Sequence, residues 1–243
     1  MSTAFDPTPE VTYPDSDGKP MADNTLQFEW ISTIKGNLEF LFADRPDVFV
    51  AGDNLIYPVQ GNPKIRFAPD TYVAFGRPKG RRGSYKVWVE DGIFPQVVFE
   101  VRSPGNRAAE MARRLKFYDR FGAVEYYDYD PDNNILLGYH RSPKRLKPIP
   151  AMAGWVSPLL GIRFDWKPDG LTIRNPDGSP FLTFVELAGQ RLQAEEAANE
   201  ARNAARSAQA LQKSAEAKAQ SAEAKAAALA AKLRALGIDP DAL

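Results

Sequence analysis

The chain has no cysteine and a single histidine, His140. Without thiols there is no disulfide and no sulfur-ligated metal, which suits a reducing compartment. With one imidazole and no thiolate, zinc chemistry and histidine-dependent nucleophilic triads are excluded as well. No apolar run approaches the roughly 20 residues that cross a bilayer. The acidic, proline-containing N-terminus also lacks a basic stretch followed by an apolar one. The expectation is a soluble, cytoplasmic protein with no membrane partner. An excess of charge of either sign is missing too: 31 Lys and Arg balance 31 Asp and Glu. Any affinity for a polyanion must therefore come from local clustering. At 243 residues the chain can bury one substantial core and still carry an appendage.

Two short stretches rich in β-branched and aromatic residues, Ile65–Phe75 and Gln96–Ser103, read as strands bounded by Pro and Gly. Each carries an acid where an interior strand is usually apolar, Asp70 in the first and Glu100 in the second. Alternation puts Gln96, Val98, Glu100 and Arg102 on one face, and Val97, Phe99 and Val101 on the other. Asp70 shares its face with Tyr72 and Ala74. If the strands are neighbours, the two acids converge. Two carboxylates suit Mg²⁺, with Mn²⁺ as a substitute, because magnesium keeps several waters and takes one or two carboxylates plus substrate phosphate. The plainer alternative leaves Asp70 opening a strand after Pro69 and Glu100 at a fraying strand end.

The sequence Pro69-Asp70, then a hydrophobic strand ending Glu100-Val101-Arg102, resembles the PD-(D/E)XK nuclease superfamily. The ordered set Phe99–Arg107, Glu110-Met111, Phe117–Gly122 and Glu125–Pro131 is similar to the Uma-type restriction endonucleases of that superfamily. Ser16–Ala22 and Gly61–Lys64 leading into Ala68-Pro69-Asp70 fit the same pattern. The resemblance covers roughly residues 10 to 190. It implies an α/β fold with a restriction-endonuclease-like mixed central sheet flanked by helices. It further implies metal-dependent hydrolysis of phosphodiester bonds in DNA, with Asp70 and Glu100 holding the ion. Relatives often add an acid from the first helix, here Glu39. In the superfamily the catalytic Lys stands two residues after the Glu, here Arg102; the Uma-type family usually moves it to the following helix, here Arg114, and often carries an apolar residue at the position of Arg102. Both positions hold Arg, which stabilises charge but does not readily take a proton from water.

Along the chain, residues 1–22 are polar and proline-rich and form an expected flexible segment. Residues 23–185 form the expected nuclease-like domain. Asp23 or Asn24 can cap a helix reaching about Asp44, with Leu26, Trp30, Ile34, Leu38 and Leu41 facing the core. Val48–Pro58 reads as a strand paired with the Asp70 strand. Between the acidic strands, Arg77, Lys79, Arg81, Arg82 and Lys86 lie among Gly and Ser and read as a flexible basic loop for the DNA backbone. A solvated loop is the plainer reading. Arg107–Phe121 reads as a helix with Met111, Arg114, Leu115 and Tyr118 on one stripe, and Glu110 one turn before Arg114.

Val124–Tyr129 and Ile135–His140 read as a hairpin. The acids Asp128, Asp130 and Asp132 do not make a calcium loop, since the required Gly and terminal Glu are missing. Trp155–Trp166 and Leu171–Phe184 read as closing strands. From 186 to 237 the chain turns to Ala, Glu, Lys, Arg and Gln, and Ala or Leu recurs every seven residues from Leu187 to Leu236, which predicts a heptad-patterned helical arm ahead of a 238–243 tail. Its alanine seam buries little area, so the expected homodimer through this arm competes with a solvated single helix. Two other functions stay open: a nuclease-fold DNA-binding protein with weakened or lost chemistry, and a coiled-coil assembly protein.

Overall fold

The computed structural model describes residues 11–16, 18, 20–105, 108–235 and 237. Most of the expected flexible N-terminal segment, Asp17 and Lys19, the start of the second helix at Arg107, and the 238–243 tail lie outside the described residues. The chain divides after Phe184 into two units.

The first unit is built on a six-stranded sheet ordered β1-β3-β5-β6-β7-β8. These strands are β1 (Val48–Ala51), β3 (Thr71–Phe75), β5 (Val97–Val101), β6 (Glu125–Asp130), β7 (Ile135–Arg141) and β8 (Leu146–Pro148). Only β5 and β6 are parallel, and helix α2 (Ala108–Phe121) is the crossover between them. Every other pair in the sheet is antiparallel. A two-stranded pair, β2 (Ile56–Tyr57) with β4 (Tyr85–Lys86), and a three-stranded sheet, β9 (Trp155–Val156), β10 (Arg163–Lys167) and β11 (Gly170–Arg174), complete the unit. The fold is therefore α/β with a mixed central sheet.

Both faces of the sheet are covered. Val97, Phe99 and Val101 of β5 face one cluster, with Ile31, Ile34 and Leu38 of α1 (Thr25–Leu41) and Phe164, Leu171 and Ile173 of the small sheet. Val98 faces the other, with Tyr72, Ala74, Tyr85, Phe117 and Tyr118. The predicted alternation along β5 is thus observed. It places Glu100 on the face covered by α2.

Several boundaries differ from expectation. The Val48–Pro58 strand breaks at Gly52-Asp53, and β2 pairs with β4 instead of continuing along β3. Regular pairing in the Asp70 stretch starts only at Thr71, with a single bridge at Phe67. In α1 the buried stripe is Gln27, Ile31, Ile34, Asn37 and Leu38, with Trp30 and Leu41 half-buried against the same core as expected, while Leu26 is exposed. Two amides are buried with it: Gln27 donates to the Val101 carbonyl at 2.8 Å, and Asn37 donates to the Leu182 carbonyl at 2.8 Å. Asn24 caps α1 through the Gln27 N–H, as expected for its side chain. Near the N-terminus, Tyr13 packs its ring on Tyr57 and Trp88, and the Pro14 carbonyl accepts from the Tyr57 hydroxyl at 2.6 Å. Aromatic burial thus anchors this polar stretch.

The second unit is the helix α3 (Phe184–Ala235), 52 residues long, with no buried residue. It is supported from within by i,i+4 pairs, Arg191 with Glu195 and Gln212 with Glu216. Among the described residues no helix is long and apolar enough to cross a membrane.

Candidate active site

Strands β3 and β5 are antiparallel neighbours in the register Thr71↔Phe99, Tyr72↔Val98 and Val73↔Val97. Asp70 immediately precedes the first paired residue, Thr71, and so lies at the Glu100 end of β5. The carboxylate of Asp70 is fixed there by the Val101 N–H, which donates to Oδ2 at 2.6 Å. Asp70 ends an irregular approach, Ala68-Pro69, that is held by the turn after β1. The Asp53 N–H donates to the Pro69 carbonyl at 2.9 Å. Gly52 is required by the same approach, since a Cβ on it would lie 2.2 Å from the Asp70 carbonyl oxygen. Asp53 takes a left-handed backbone conformation, with φ of 55°. That is uncommon outside glycine and tolerated best by Asn and Asp.

Glu100 is 3 % exposed. Its two oxygens face different donors from α2. Tyr118 donates its hydroxyl to Oε1 at 2.6 Å, and Arg114 donates from Nη1 to Oε2 at 2.7 Å. Arg114 also reaches the Ala68 carbonyl at 3.2 Å and Glu110 at 3.3 Å, and lies over the Phe67 ring. Its Nε is buried with no hydrogen-bond partner among the described residues. Arg114 therefore bridges the acid of β5 to the backbone just before Asp70.

The electrostatics follow from this enclosure. Burial, then the neighbouring Glu100 charge, push the Asp70 carboxyl well above the usual carboxylate range, against the Val101 N–H and Arg114. Burial also raises Glu100, partly offset by Arg114 and Tyr118. The Glu100 charge raises Arg114 further still. Asp70, Asp53, Glu110 and Arg114, with Asp23 and Gln27, line a cavity of about 220 Å³. Glu100 lies off this cavity's wall.

The other sequence-derived candidates fall elsewhere. Arg102 turns its guanidinium to Asp128 on the adjacent strand, at 2.7 and 2.6 Å, a two-pronged pair that occupies it. Glu39 is exposed and paired with Lys35 one turn earlier. The basic loop is not a flexible one. Arg77 and Arg82 both clasp Glu90, which is 6 % exposed, and Arg77 adds Asp91. Arg82 also stacks on Phe49. Lys79 donates to the carbonyls of Phe42 and Ala43 at 2.6 Å each, closing the end of α1. Lys86 lies over the Tyr13 ring, and Arg81 is exposed.

Asp53, Tyr118 and Glu90 do not stand out in the sequence as site residues. Asp53 has a faint signal, a Gly-Asp pair interrupting an alternating strand. Tyr118 is on the predicted inward stripe of α2, but only the fold shows its hydroxyl meeting Glu100. Among the described residues no group of three His, Cys, Asp or Glu is arranged to hold a metal ion. A two-carboxylate donor set, all oxygen, is nonetheless of the hard kind that Mg²⁺ and Mn²⁺ accept. Each Glu100 oxygen accepts a hydrogen bond from one α2 side chain, and a carboxylate has about four acceptor positions. Burial first, and then the charge of Glu100, raise the Asp70 carboxyl; only the second of these is a repulsion that a cation between the acids would relieve. The residues fit the ion.

One acid just before β3, one within the adjacent β5, and a cation from the crossover helix meet on one face of the mixed sheet of this α/β protein. The chain belongs to the Uma2 family, described as "Putative restriction endonuclease", whose family model matches residues 8–174. It is also similar to a solved structure from Anabaena variabilis, described as a "putative nuclease belonging to DUF820". That similarity has a TM-score of 0.43 and 12 % identity, over 57 % of this chain and 74 % of the other. No curated protein matches the chain.

Proposed function

We propose that the chain is a metal-dependent endonuclease that hydrolyses phosphodiester bonds in DNA, with Asp70 and Glu100 holding Mg²⁺ or Mn²⁺. The observation that supports this reading is that Asp70, just before β3, accepts from the Val101 N–H beside Glu100, whose carboxylate Arg114 holds. When bound, the ion supplies a Lewis acid for the scissile phosphate and lowers the pKa of a coordinated water. The protein's own contribution is positional. Val101 fixes the Asp70 carboxylate, and Tyr118 and Arg114 fix Glu100. Arg114 brings a permanent positive charge to the cavity wall, suited to charge that develops on phosphate oxygens. Held always protonated, it does not serve as the base that takes a proton from water. Arg81 and Lys86 remain available for the DNA backbone, while Arg77, Lys79 and Arg82 hold their loop in shape.

The test is nicking of supercoiled plasmid with Mg²⁺ or Mn²⁺, comparing wild type with Asp70→Asn and Glu100→Gln. Metal-dependent nicking that both substitutions abolish supports the reading. Metal-dependent nicking that survives both overturns the site assignment.

One observation favours a second reading, a DNA-binding protein of this fold with weakened chemistry. The superfamily's lysine position and the helix position to which the resembled family moves it both hold arginine, and Arg114 is clasped directly to Glu100. It predicts salt-sensitive DNA binding without metal-dependent cutting. We also propose that α3 brings two copies together. Leu187, Leu211 and Leu229 are exposed along it, and sedimentation of the full chain over a concentration series reads the assembly directly.

A further inference from the structure

The cavity lined by Asp70 and Arg114 is continuous with a second recess of about 330 Å³, the two sharing Met21, Asp53 and Asp70. The second has a different chemistry. Met21, Phe28 and Ile31 make its apolar side, and Ser32, Lys35 and Gly52 close it toward the next turn of α1 and the end of β1. Phe28 is 52 % exposed, while Ile31, also on the recess wall, is 4 % exposed. A single exposed Phe on a surface means little. This one forms the wall of a recess that opens onto the candidate cleavage position. A third recess, of about 380 Å³, shares Lys35 and Gly52 with the second and adds Lys79, Arg81 and Arg82. The order along the surface is therefore acids with Arg114, then an apolar pocket walled by an aromatic ring, then cations.

We propose that the middle recess takes one unstacked nucleobase of single-stranded DNA, laid on the ring of Phe28. The strand's backbone then runs from Arg114 past Lys35 toward Arg81. This rests on the nuclease reading above and names its substrate. Phosphates gain nothing from Met21, Phe28 and Ile31, whereas a base offers a π-face that stacks on an aromatic side chain whatever its identity. In a continuous duplex both faces of every base are covered by neighbours, so the recess stays empty unless a base leaves the stack. A single strand presents its bases without that unpairing cost. Lys35 pairs with Glu39 through one contact, and an ammonium has three donors, so two remain for phosphate.

The experiment is fluorescence anisotropy with the full chain, in the absence of divalent metal, using a labelled single-stranded oligonucleotide and its duplex. The proteins are wild type, Phe28→Ala and Phe28→Trp. Because Phe28 is half exposed, the folded state tolerates its truncation, and a thermal melt checks this. Loss of one stacking contact weakens single-strand binding by about 10-fold in Phe28→Ala. Phe28→Trp restores it, and duplex binding stays as in wild type. Single-strand binding unchanged by Phe28→Ala, or duplex binding weakened to the same extent, overturns the recess assignment. Plasmid nicking by wild type separates the two levels: if nicking persists while Phe28 is immaterial, only the recess falls. A wild-type chain that neither binds nor nicks DNA removes the nuclease reading and this inference with it.

Discussion

Arg114 is the side chain on which the geometry of the site most depends, and two substitutions there separate its charge from its shape. It joins Glu100 at 2.7 Å, the Ala68 carbonyl at 3.2 Å and Glu110 at 3.3 Å. Its side chain is 18 % exposed and that of Glu100 is 3 % exposed, so their pairing is largely desolvated. Arg114→Lys keeps a positive charge within reach of Glu100 but loses the planar fork. Two secondary hydrogen bonds, each worth about 0.5–1.5 kcal/mol net, are forfeited, for a cost of about 1–3 kcal/mol. Arg114→Met leaves a buried carboxylate without its counter-charge, a loss of about 3–5 kcal/mol, moderated as Glu100 takes up a proton. For a unit of this size each kcal/mol lowers Tm by about 2–4 °C. Thermal melts at neutral pH are expected to rank wild type above Arg114→Lys above Arg114→Met, with the Met variant lower by roughly 6 °C or more. The Met deficit shrinks when Glu100→Gln is added, since no charge is then stranded. A Met variant that melts with wild type refutes the view that this ion pair holds the site together.

Glu90 gives a pH-dependent prediction. Burial raises its carboxyl, but hydrogen bonds from Arg82 and Arg77 outweigh this and hold it below the usual value. A carboxylate depressed in the folded state contributes stability above its unfolded value of 4.5, and that stability is lost as pH falls through the folded value. Glu90→Gln is therefore expected to cost about 3 kcal/mol at pH 7 and progressively less below about pH 4.5, measured by urea denaturation at several pH values. Gly52→Ala forces the Ala68–Asp70 approach to shift, because the new Cβ meets the Asp70 carbonyl. Plasmid nicking is expected to fall sharply, with a Tm loss that Gly36→Ala, where no atom lies within 4 Å, does not share. Tyr118→Phe strips one donor from a fully buried carboxylate. It is expected to destabilise by about 1–3 kcal/mol in denaturant titration, with little change in the fold as judged by circular dichroism.

The site was legible in the sequence as far as local periodicity reaches. Alternation puts Glu100 on the Val98 face of β5 and Arg114 on the inner stripe of α2, and the structure has Val98 packed under α2 and Arg114 reaching Glu100. Strand pairing was a supposition, since nothing local dictates which strands become neighbours. What failed to show depended on partners far along the chain. Arg102 shares a face with Glu100 and stands at the superfamily's lysine position, but its carboxylate partner arrives on β6, 26 residues later. Glu90 converts a charge-rich loop into a packed one through Arg77 and Arg82, and no spacing rule distinguishes such a buried acid from a solvated one. Gln27 and Asn37 join the buried stripe of α1 because their amides find backbone carbonyls and not because of any apolar pattern. The spacing of apolar residues along a helix shows which side avoids water, but it is blind to amides that bury themselves by hydrogen bonding.

The central claim is that Asp70 and Glu100 share one cation. Crystals of the full chain soaked in Mn²⁺ and measured for anomalous scattering test it most directly. The expected result is a single strong peak at about 2.1–2.2 Å from a carboxylate oxygen of each residue, lost in Asp70→Asn. A peak bound elsewhere, or none at this pair at saturating Mn²⁺, contradicts it.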